Sequence, residues 1–441
     1  MSSEDHRRFY LRTFGCQMNE YDSELLSDQL ISTGWQRSMD PSQSSLIIYN
    51  TCSVREKAEQ RVLAHIAGSA AFKRKNPEIR LAVIGCMAER IGKKLLDSCP
   101  EIDFVLGPDF AFRLPELASN GFKQTEVFIA SEGNQVSFMQ SRSTVPAIDR
   151  GISAFVAISK GCENYCSYCI VPYVRGPVRN RNVSDIAAEV RQLVSIGVKE
   201  FTLLGQNVNS YYDGGLDFPD LLREISEIKG VARVRFTTSH PKDVSEKLFR
   251  VMSDIPQLCE ALHLPLQSGS DRILQLMNRG YTNQQYKESI DLAREIIPGL
   301  CLTTDLIAGF PSETEEDFQM TLEAVSDIGF DAAFMFRYSK RPRTAAAKLE
   351  DSQGDEVRLR RLNKLISWQQ QSSHQRNQRL VGEIVEVMID GVSRKNDQQH
   401  RGKDRGGRIV IVRDSEGTSI GDIIDVRVIR AESWTLIGEK V

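Results

Sequence analysis

Short apolar runs alternate with amphipathic helical patterns over most of this chain, and this alternation limits the folds that the chain can adopt. Within the first 125 residues, FYLRTFG, SLIIYN and LAVIG are strand candidates. Helical patterns follow each of them, in SELLSDQLISTG, in residues 55–75 and in MAERIGKKLLDS. Strands that alternate with helices are typical of βαβ units and a parallel sheet. We therefore predict an open parallel α/β domain over residues 1–125.

The same alternation resumes after a polar segment, residues 126–147, which we interpret as a linker. Between residues 148 and 378, helical patterns separate six strand candidates, ISAFVAIS, KEFTLLG, VARVRFTTS, CEALHLPLQ, LCLTTDLIAGF and DAAFMFRYS. About six β/α units fall short of a complete eightfold barrel. The central domain is therefore expected to be a partial (β/α)6 barrel.

The last segment, residues 379–441, changes to apolar and polar residues that alternate with a period of two. EIVEVMIDG, RIVIVRD, DIIDVRVIRAES and TLIG are separated by glycine-bearing turns. Short strands of this kind indicate a small β-barrel, an architecture that often binds oligonucleotides. The predicted fold class is thus α/β, with a β-barrel at the C-terminus.

Composition is that of an ordinary globular protein, with 441 residues of which 41% are hydrophobic and 26% are charged. No apolar run is long enough for a membrane span, and the charged N-terminus lacks the apolar stretch of an export signal. The nine cysteines are an odd number and mostly far apart, which does not indicate a disulfide framework. We expect a cytoplasmic monomer that does not bind membranes.

Positive charge is concentrated between residues 337 and 413, although the net charge of the chain is only −3. This segment holds 18 Lys and Arg against 9 Asp and Glu. The solvated face of a helix explains part of the excess, but other basic residues lie among turns and strands. For these, a phosphate-binding surface is the alternative. The candidate RNA-binding residues are Arg394, Lys395, Arg401, Lys403, Arg405 and Arg408.

Three cysteines stand within eight residues of one another in GCENYCSYCIVPYVRG. Cys162, Cys166 and Cys169, here called the loop cysteines, are spaced C-x3-C-x2-C without a fourth Cys or His nearby. A tetrahedral zinc site needs four protein ligands, so zinc would require a distant fourth residue. A 4Fe–4S cluster has four irons, and three thiolates leave one iron open to a small molecule.

A second set of three cysteines is scattered in sequence but occupies equivalent positions in the predicted N-terminal sheet. Cys16 and Cys86 directly follow strand candidates, and Cys52 follows one by two residues; we call these the sheet cysteines. They are expected at the carboxyl edge of the sheet, where ligands of parallel sheets bind. The alternative is three unrelated buried cysteines. Two such sets suit an enzyme that generates a reactive species at one site and delivers an atom from the other.

These motifs resemble the radical S-adenosylmethionine methylthiotransferase family. GCQMNEYDSE, NTCSVREKAE and GCMAER resemble its N-terminal domain. The stretch that holds the loop cysteines resembles its catalytic barrel, as do LLGQNVNSY, FTTSHP, HLPLQSGS, LMNRGYT and GFPSETEEDF. The C-terminal segment is similar to the RNA-binding TRAM domain. Within the family, the QMN and SVRE forms resemble those of enzymes that modify prenylated adenosine in tRNA.

The resemblance implies two 4Fe–4S clusters and S-adenosylmethionine as cofactors. The loop cysteines would bind the radical-generating cluster, and the sheet cysteines would bind an auxiliary cluster that carries the transferred sulfur. No catalytic residue beyond these ligands is implied. The residues expected to contact S-adenosylmethionine are Tyr168, Gly205, Gln206, Asn207, Ser239 and His240.

The implied reaction adds a methylthio group to carbon 2 of N(6)-dimethylallyladenosine at position 37, next to the tRNA anticodon. One S-adenosylmethionine would be the radical source and another the methyl donor. Implied partners are the anticodon stem-loop of tRNA, an electron donor such as a flavodoxin or ferredoxin, and an Fe–S or sulfur carrier protein. The alternatives are methylthiolation of threonylcarbamoyl-adenosine in tRNA or of a ribosomal-protein aspartate, and a non-enzymatic Fe–S electron carrier.

Overall fold

The computed structural model describes residues 7–53, 56–119, 125–130, 151–351, 353–413 and 416–441. The chain divides into two compact units. Unit 1 comprises residues 1–149, 155–163 and 169–181, and unit 2 comprises residues 150–154, 164–168 and 182–441.

The described part of unit 1 contains a six-stranded parallel sheet in the order β2-β1-β3-β4-β5-β6. Alternate residues of its central strands pack into two separate apolar clusters, with Ile48 and Ile84 in one and Ile47 and Val83 in the other. Both faces of the sheet are therefore covered, as is usual for parallel sheets, and the predicted open α/β domain is confirmed. The elements are β1 (Arg8–Thr13), α1 (Gln17–Ser32), β2 (Gln36–Arg37), β3 (Leu46–Thr51), α2 (Glu56–Lys75), β4 (Arg80–Gly85), α3 (Cys86–Ile91), α4 (Lys94–Ser98), β5 (Phe104–Leu106), α5 (Leu114–Ser119) and β6 (Glu126–Phe128).

The sheet has three more strands than the sequence predicts. The additional strands β2, β5 and β6 are only two or three residues long, which is too short to give a recognisable pattern. The strand β6 lies in the segment 126–147 that we interpret as a linker, and residues 131–147 of that segment lie outside the described residues. The prediction of a single helix for MAERIGKKLLDS is wrong, because α3 and α4 are two separate helices. Gly92 interrupts them with a φ of +57°, in the left-handed region that favours glycine.

The next stretch of chain carries four short elements. They are β7 (Ser153–Ala157), β8 (Ser159–Lys160), α6 (Val171–Arg175) and β9 (Arg179–Asn180). The antiparallel pairing of β8 with β9 brings the two ends of the intervening loop together. All three loop cysteines belong to this loop.

The six strands predicted for the central domain are all present, in two three-stranded sheets of order β13-β10-β7 and β14-β15-β16. Helices separate the strands, and α8, α11 and α12 each begin with a capping box. The predicted partial barrel is confirmed. The elements are α7 (Val183–Ser195), β10 (Glu200–Leu204), β11 (Tyr212–Asp213), β12 (Leu216–Asp217), α8 (Phe218–Ser226), β13 (Arg233–Phe236), α9 (Glu246–Asp254), β14 (Ala261–His263), α10 (Asp271–Leu276), α11 (Asn283–Ile296), β15 (Cys301–Ala308), α12 (Glu315–Ile328), β16 (Ala332–Arg337) and α13 (Asp355–Gln378).

The C-terminal residues of unit 2 form a closed barrel in the order β17-β18-β19-β21-β20. The strand β18 was not predicted from the sequence, because it is polar and contains Gly402. A side chain at Gly402 would place its Cβ 2.2 Å from the Met388 carbonyl oxygen, so glycine allows β18 to run close to β17. The strands are β17 (Ile384–Val392), β18 (His400–Asp404), β19 (Ile409–Val412), β20 (Ile423–Ala431) and β21 (Thr435–Lys440).

Among the residues that the structure describes, no helix is both long enough and apolar enough to span a bilayer.

Candidate active site

The three sheet cysteines lie at the carboxyl edge of the unit 1 sheet. Cys16 precedes α1, Cys52 follows β3, and Cys86 is the first residue of α3. Cys52 and Cys86 are buried, whereas Cys16 is exposed. A hydrogen bond with Cys52, together with the charge of Arg175, lowers the pKa of the Cys16 thiol to about 6. Since the thiolate is the form of cysteine that binds metals, Cys16 is suited to be a ligand.

A glycine in an unusual conformation precedes Cys16, Cys86 and Cys162. The φ angles of Gly15, Gly85 and Gly161 are +118°, +93° and +86°. A Cβ at Gly15 would lie 2.2 Å from Cβ of Cys52, and one at Gly161 would lie 1.9 Å from the Pro177 carbonyl oxygen. The repeated Gly-Cys pair is therefore a sequence signal for these positions, in addition to the spacing of the cysteines.

Arg175, in α6, is a functional candidate that the sequence analysis missed. Its side chain is buried, and Nη2 donates to Asn19 Oδ1 at 2.8 Å and to Asp22 Oδ2 at 3.0 Å. Burial opposes its charge, but Cys86, Asp22 and Cys16 raise its pKa well above the usual value. A guanidinium beside two thiols favours their thiolate forms.

The segment that follows the loop cysteines packs against one of the sheet cysteines within unit 1. Cys86, Ile170 and Val174 form one buried apolar cluster, and Ile170 directly follows Cys169. The backbone of Cys162 also belongs to this unit, where its N–H donates to the Gly176 carbonyl at 3.1 Å. Elements assigned to separate predicted domains thus share one compact unit.

In unit 2, the sulfur of Cys166 has two nitrogen-bearing neighbours. Arg279 Nη1 lies 3.3 Å from Cys166 Sγ, and His240 Nε2 lies 3.9 Å from it. Burial, with the charges of Arg279 and Lys242, lowers the pKa of His240 to about 2, so the imidazole is neutral at physiological pH. Its Nδ1 accepts a hydrogen bond from the Lys242 backbone at 3.3 Å. Arg279 lies in the motif LMNRGYT, and the sequence alone does not indicate its contact with Cys166.

Several buried polar atoms of unit 2 lack a hydrogen-bond partner among the described residues. Four of them lie beside Cys166 in sequence or after the strands β10, β13 and β14: Ser167 Oγ, Asn207 Oδ1, Ser239 Oγ and Gln267 Oε1. Buried polar atoms in proteins are normally satisfied, so these atoms fit a polar ligand such as S-adenosylmethionine. Gln267 and Thr238, which precedes Ser239, also have positive φ angles of +70° and +68°, and such strained residues cluster at active sites.

The six residues expected to contact S-adenosylmethionine all belong to unit 2. Gly205, Gln206 and Asn207 follow the carboxyl end of β10, and Ser239 and His240 follow that of β13. Asn207 is held by a 2.6 Å hydrogen bond from Nδ2 to Asp243 Oδ2. The Tyr168 hydroxyl accepts a 3.4 Å hydrogen bond from Arg279 Nη1. The carboxyl ends of strands are where barrel enzymes place their sites.

Within the described residues, no three His, Cys, Asp or Glu side chains are close enough together to bind a single metal ion. This spacing does not conflict with a four-iron cluster, in which each thiolate binds a different iron.

The basic residues expected to bind RNA have different surroundings. Arg394 and Lys395 are exposed in the turn before β18, and Lys403 is half-buried in β18. Arg401 Nε donates to Asp390 Oδ1 at 2.8 Å.

The turn between β18 and β19 lies against the amino ends of the central barrel's strands. Its Arg405 pairs with Glu260, which precedes β14, and its Arg408 pairs with Asp331, which precedes β16, at 2.8 Å. From the other side, the buried Arg233 donates to the Lys403 carbonyl at 2.8 Å. Two of the six basic candidates therefore pair with carboxylates of the central barrel, at the end opposite to the cofactor candidates.

Three families match the chain in succession. Residues 8–107 match the Uncharacterized protein family UPF0004, residues 156–325 match the Radical SAM superfamily, and residues 378–441 match the TRAM domain. A protein of Clostridium perfringens named tRNA-2-methylthio-N(6)-dimethylallyladenosine synthase is 41% identical over 446 residues, which cover 99% of this chain and 98% of that protein. A protein of Geotalea uraniireducens with the same name is 44% identical over 437 residues, 98% of each chain.

Solved structures show the same fold at low sequence identity. The radical S-adenosylmethionine methyltransferase TsrM from Kitasatospora setae matches with a TM-score of 0.56 and 14% identity, over 77% of this chain and 74% of that one. The cobalamin-dependent S-adenosylmethionine radical enzyme OxsB matches with a TM-score of 0.53 and 13% identity, over 83% and 56%. With relatives above 40% identity along its whole length, the chain belongs to the radical S-adenosylmethionine family of proteins named tRNA-2-methylthio-N(6)-dimethylallyladenosine synthase.

Proposed function

We propose that this chain adds a methylthio group to carbon 2 of N(6)-dimethylallyladenosine at position 37 of tRNA, with one S-adenosylmethionine as radical source and another as methyl donor. The full-length likeness to proteins of that name supports the proposal. The observation that carries it is the presence of two three-cysteine sets, each in contact with a buried arginine. Three thiolates leave one iron of a 4Fe–4S cluster without a protein ligand, which a purely electron-transferring cluster does not require.

The loop cysteines would hold one 4Fe–4S cluster, which when reduced would supply the electron that cleaves S-adenosylmethionine to methionine and a 5′-deoxyadenosyl radical. Residues of unit 2 bind and orient that cofactor. The unsatisfied oxygens of Asn207, Ser239 and Gln267 are available to its polar groups. Tyr168, Gly205, Gln206 and His240 complete the proposed contacts.

The sheet cysteines would hold the second 4Fe–4S cluster, the site of the sulfur that is transferred. Arg175 stabilises the thiolates of Cys16 and Cys86 there. Burial raises the pKa of Cys86, and the charge of Arg175 opposes this effect. An assembled site of this kind would need Arg175 in place.

The anticodon stem-loop would be contacted by the basic residues of the TRAM domain. Arg394 and Lys395 are exposed, whereas the other four proposed residues are half-buried. The guanidinium groups of Arg401, Arg405 and Arg408 all pair with acids, so these three residues would contribute mainly long-range charge. The proposed partners also include a flavodoxin or ferredoxin as reductant and an Fe–S or sulfur carrier protein. The proposed location is the cytoplasm, and the proposed oligomeric state is a monomer.

The experiment that tests this function is an anaerobic incubation of the reconstituted protein with S-adenosylmethionine, a reductant and a substrate RNA. The substrates are matched anticodon stem-loops that carry dimethylallyladenosine, threonylcarbamoyl-adenosine or unmodified adenosine. Mass spectrometry should find the methylthio product with the first RNA, together with 5′-deoxyadenosine. Methylthiolation of the second RNA instead, or of an aspartate peptide of a ribosomal protein, would show that the substrate is a different one. If no 5′-deoxyadenosine formed at all, the result would favour an electron carrier.

A further inference from the structure

Arg279 is a buried cation with an unusual set of partners. Only 4% of the residue is exposed. Its Nε donates to the Tyr281 hydroxyl at 3.0 Å and Nη2 to the Pro265 carbonyl at 2.9 Å. Its Nη1 lies 3.3 Å from Cys166 Sγ and 3.4 Å from the Tyr168 hydroxyl. Within the described residues, no carboxylate forms an ion pair with it.

A buried charge without a counter-charge is strongly destabilising, and buried charges in proteins are therefore normally paired. Arg175 follows this rule, since its guanidinium pairs with Asp22. Among the groups in contact with Arg279, the thiol of Cys166 is the one that becomes anionic when it binds iron. The folded chain thus places a fixed positive charge where a cluster ligand would carry negative charge.

We propose that Arg279 is a positioning residue that donates a hydrogen bond to the Cys166 sulfur in the loaded enzyme and raises the reduction potential of the cluster on the loop cysteines. The inference rests on the proposed function, which places a cluster there. Hydrogen bonds to cluster sulfurs and nearby charge are the means by which proteins set such potentials. Reduction adds negative charge, which a neighbouring guanidinium stabilises.

The test compares reduction potentials in full-length protein whose sheet cysteines are replaced by alanine, so that one cluster gives the signal. A reductive titration followed by electron paramagnetic resonance, without S-adenosylmethionine, measures the midpoint potential. In the Arg279→Gln variant we expect at least a tenfold fall in the ratio of reduced to oxidised cluster at a fixed potential, about 59 mV for one electron. Arg279→Lys keeps the charge and should shift the ratio less. Arg233→Gln removes another buried arginine of unit 2 and should leave the ratio unchanged.

The outcomes separate this inference from the function on which it rests. Absence of iron from the parent protein would contradict the cluster site itself. With about four irons present, an unchanged potential in Arg279→Gln would overturn the role of Arg279. A fall in the affinity for S-adenosylmethionine without a change in potential would also overturn it, because Arg279 would then bind the carboxylate of that cofactor. If Arg279→Gln loses its iron, the Arg279→Lys variant is the one to measure. A tenfold or larger fall in its ratio of reduced to oxidised cluster would contradict the role of the positive charge.

Discussion

Arg405 of the TRAM barrel forms a two-point ion pair with Glu260 of the central barrel, with Nε 2.6 Å from Oε2 and Nη2 2.7 Å from Oε1. Glu260 immediately precedes β14, at the amino end of that strand. Paired hydrogen bonds between charged groups are about twice as strong as neutral ones. A residue selected in the sequence as an RNA contact therefore holds two parts of the same unit together.

Replacement of Arg405 by alanine is expected to lower the free energy of unfolding by about 1.5–3 kcal/mol, the usual range for a hydrogen bond between charged groups. Chemical denaturation measures the change. The matched control is the exposed Arg394, whose replacement should change stability by less than about 0.5 kcal/mol.

For tRNA binding, the order of effects should be reversed, with a larger effect from the exposed residues than from Arg405. Replacement of Arg394 and Lys395 by alanine should reduce the steepness with which tRNA affinity falls as salt is raised, by about one unit for each phosphate contact that is lost. Arg405→Ala should leave that slope nearly unchanged. A stable Arg405→Ala variant with a reduced slope would contradict the assignment of Arg405 to the contact between the barrels.

Gly15 is expected to be essential for the site on the sheet cysteines, because an added Cβ would overlap with Cys52 and the φ of +118° is unfavourable for other residues. In Gly15→Ala, the reconstituted protein should contain about four irons instead of about eight. The control is Gly68→Ala in α2, where a Cβ would meet nothing within 4 Å. Full iron content in both variants would show that the position of Cys52 does not matter for the cluster.

Arg175 and Asp22 form a buried pair, with side-chain exposures of 3% and 10%. Removal of one partner leaves an uncompensated charge, so Arg175→Ala should destabilise the protein by about 3–5 kcal/mol. A second change, Asp22→Asn, should recover part of this loss in a double-mutant cycle. The exposed pair of Arg250 with Glu246 is the control, and its loss should change stability by less than about 1 kcal/mol. Equal effects at the two pairs would contradict the importance of burial.

The parts of the fold that sequence reasoning found are those set by local patterns. Every residue of β3 is buried, and such continuous apolar runs followed by amphipathic helices indicate buried parallel strands. The strands that it missed have too few residues to form a pattern, as in β5, or contain polar residues and glycine, as in β18. Their pairing is decided by neighbours that are distant in sequence.

Some residues of the candidate site could likewise be predicted from local sequence patterns, and others could not. The six cysteines were selected from spacing and from their places after strands, and both signals are visible in the sequence. Arg175 and Arg279 were missed because the contacts that make them important join Arg175 to Asn19 and Arg279 to Cys166, which are 156 and 113 residues apart. The surplus of basic residues near Arg405 was visible, but the acidic partners of the central barrel were not.

We propose that the two cysteine sets hold two clusters with different tasks, and a single incubation tests this division of tasks. Protein in which the sheet cysteines are replaced by alanine is reconstituted anaerobically and supplied with S-adenosylmethionine, a reductant and tRNA that carries dimethylallyladenosine. Iron, 5′-deoxyadenosine and the methylthio nucleoside are measured in the same sample. We expect about four irons, continued release of 5′-deoxyadenosine and no methylthio product. Formation of the methylthio product by this variant would contradict the division of tasks between the two clusters.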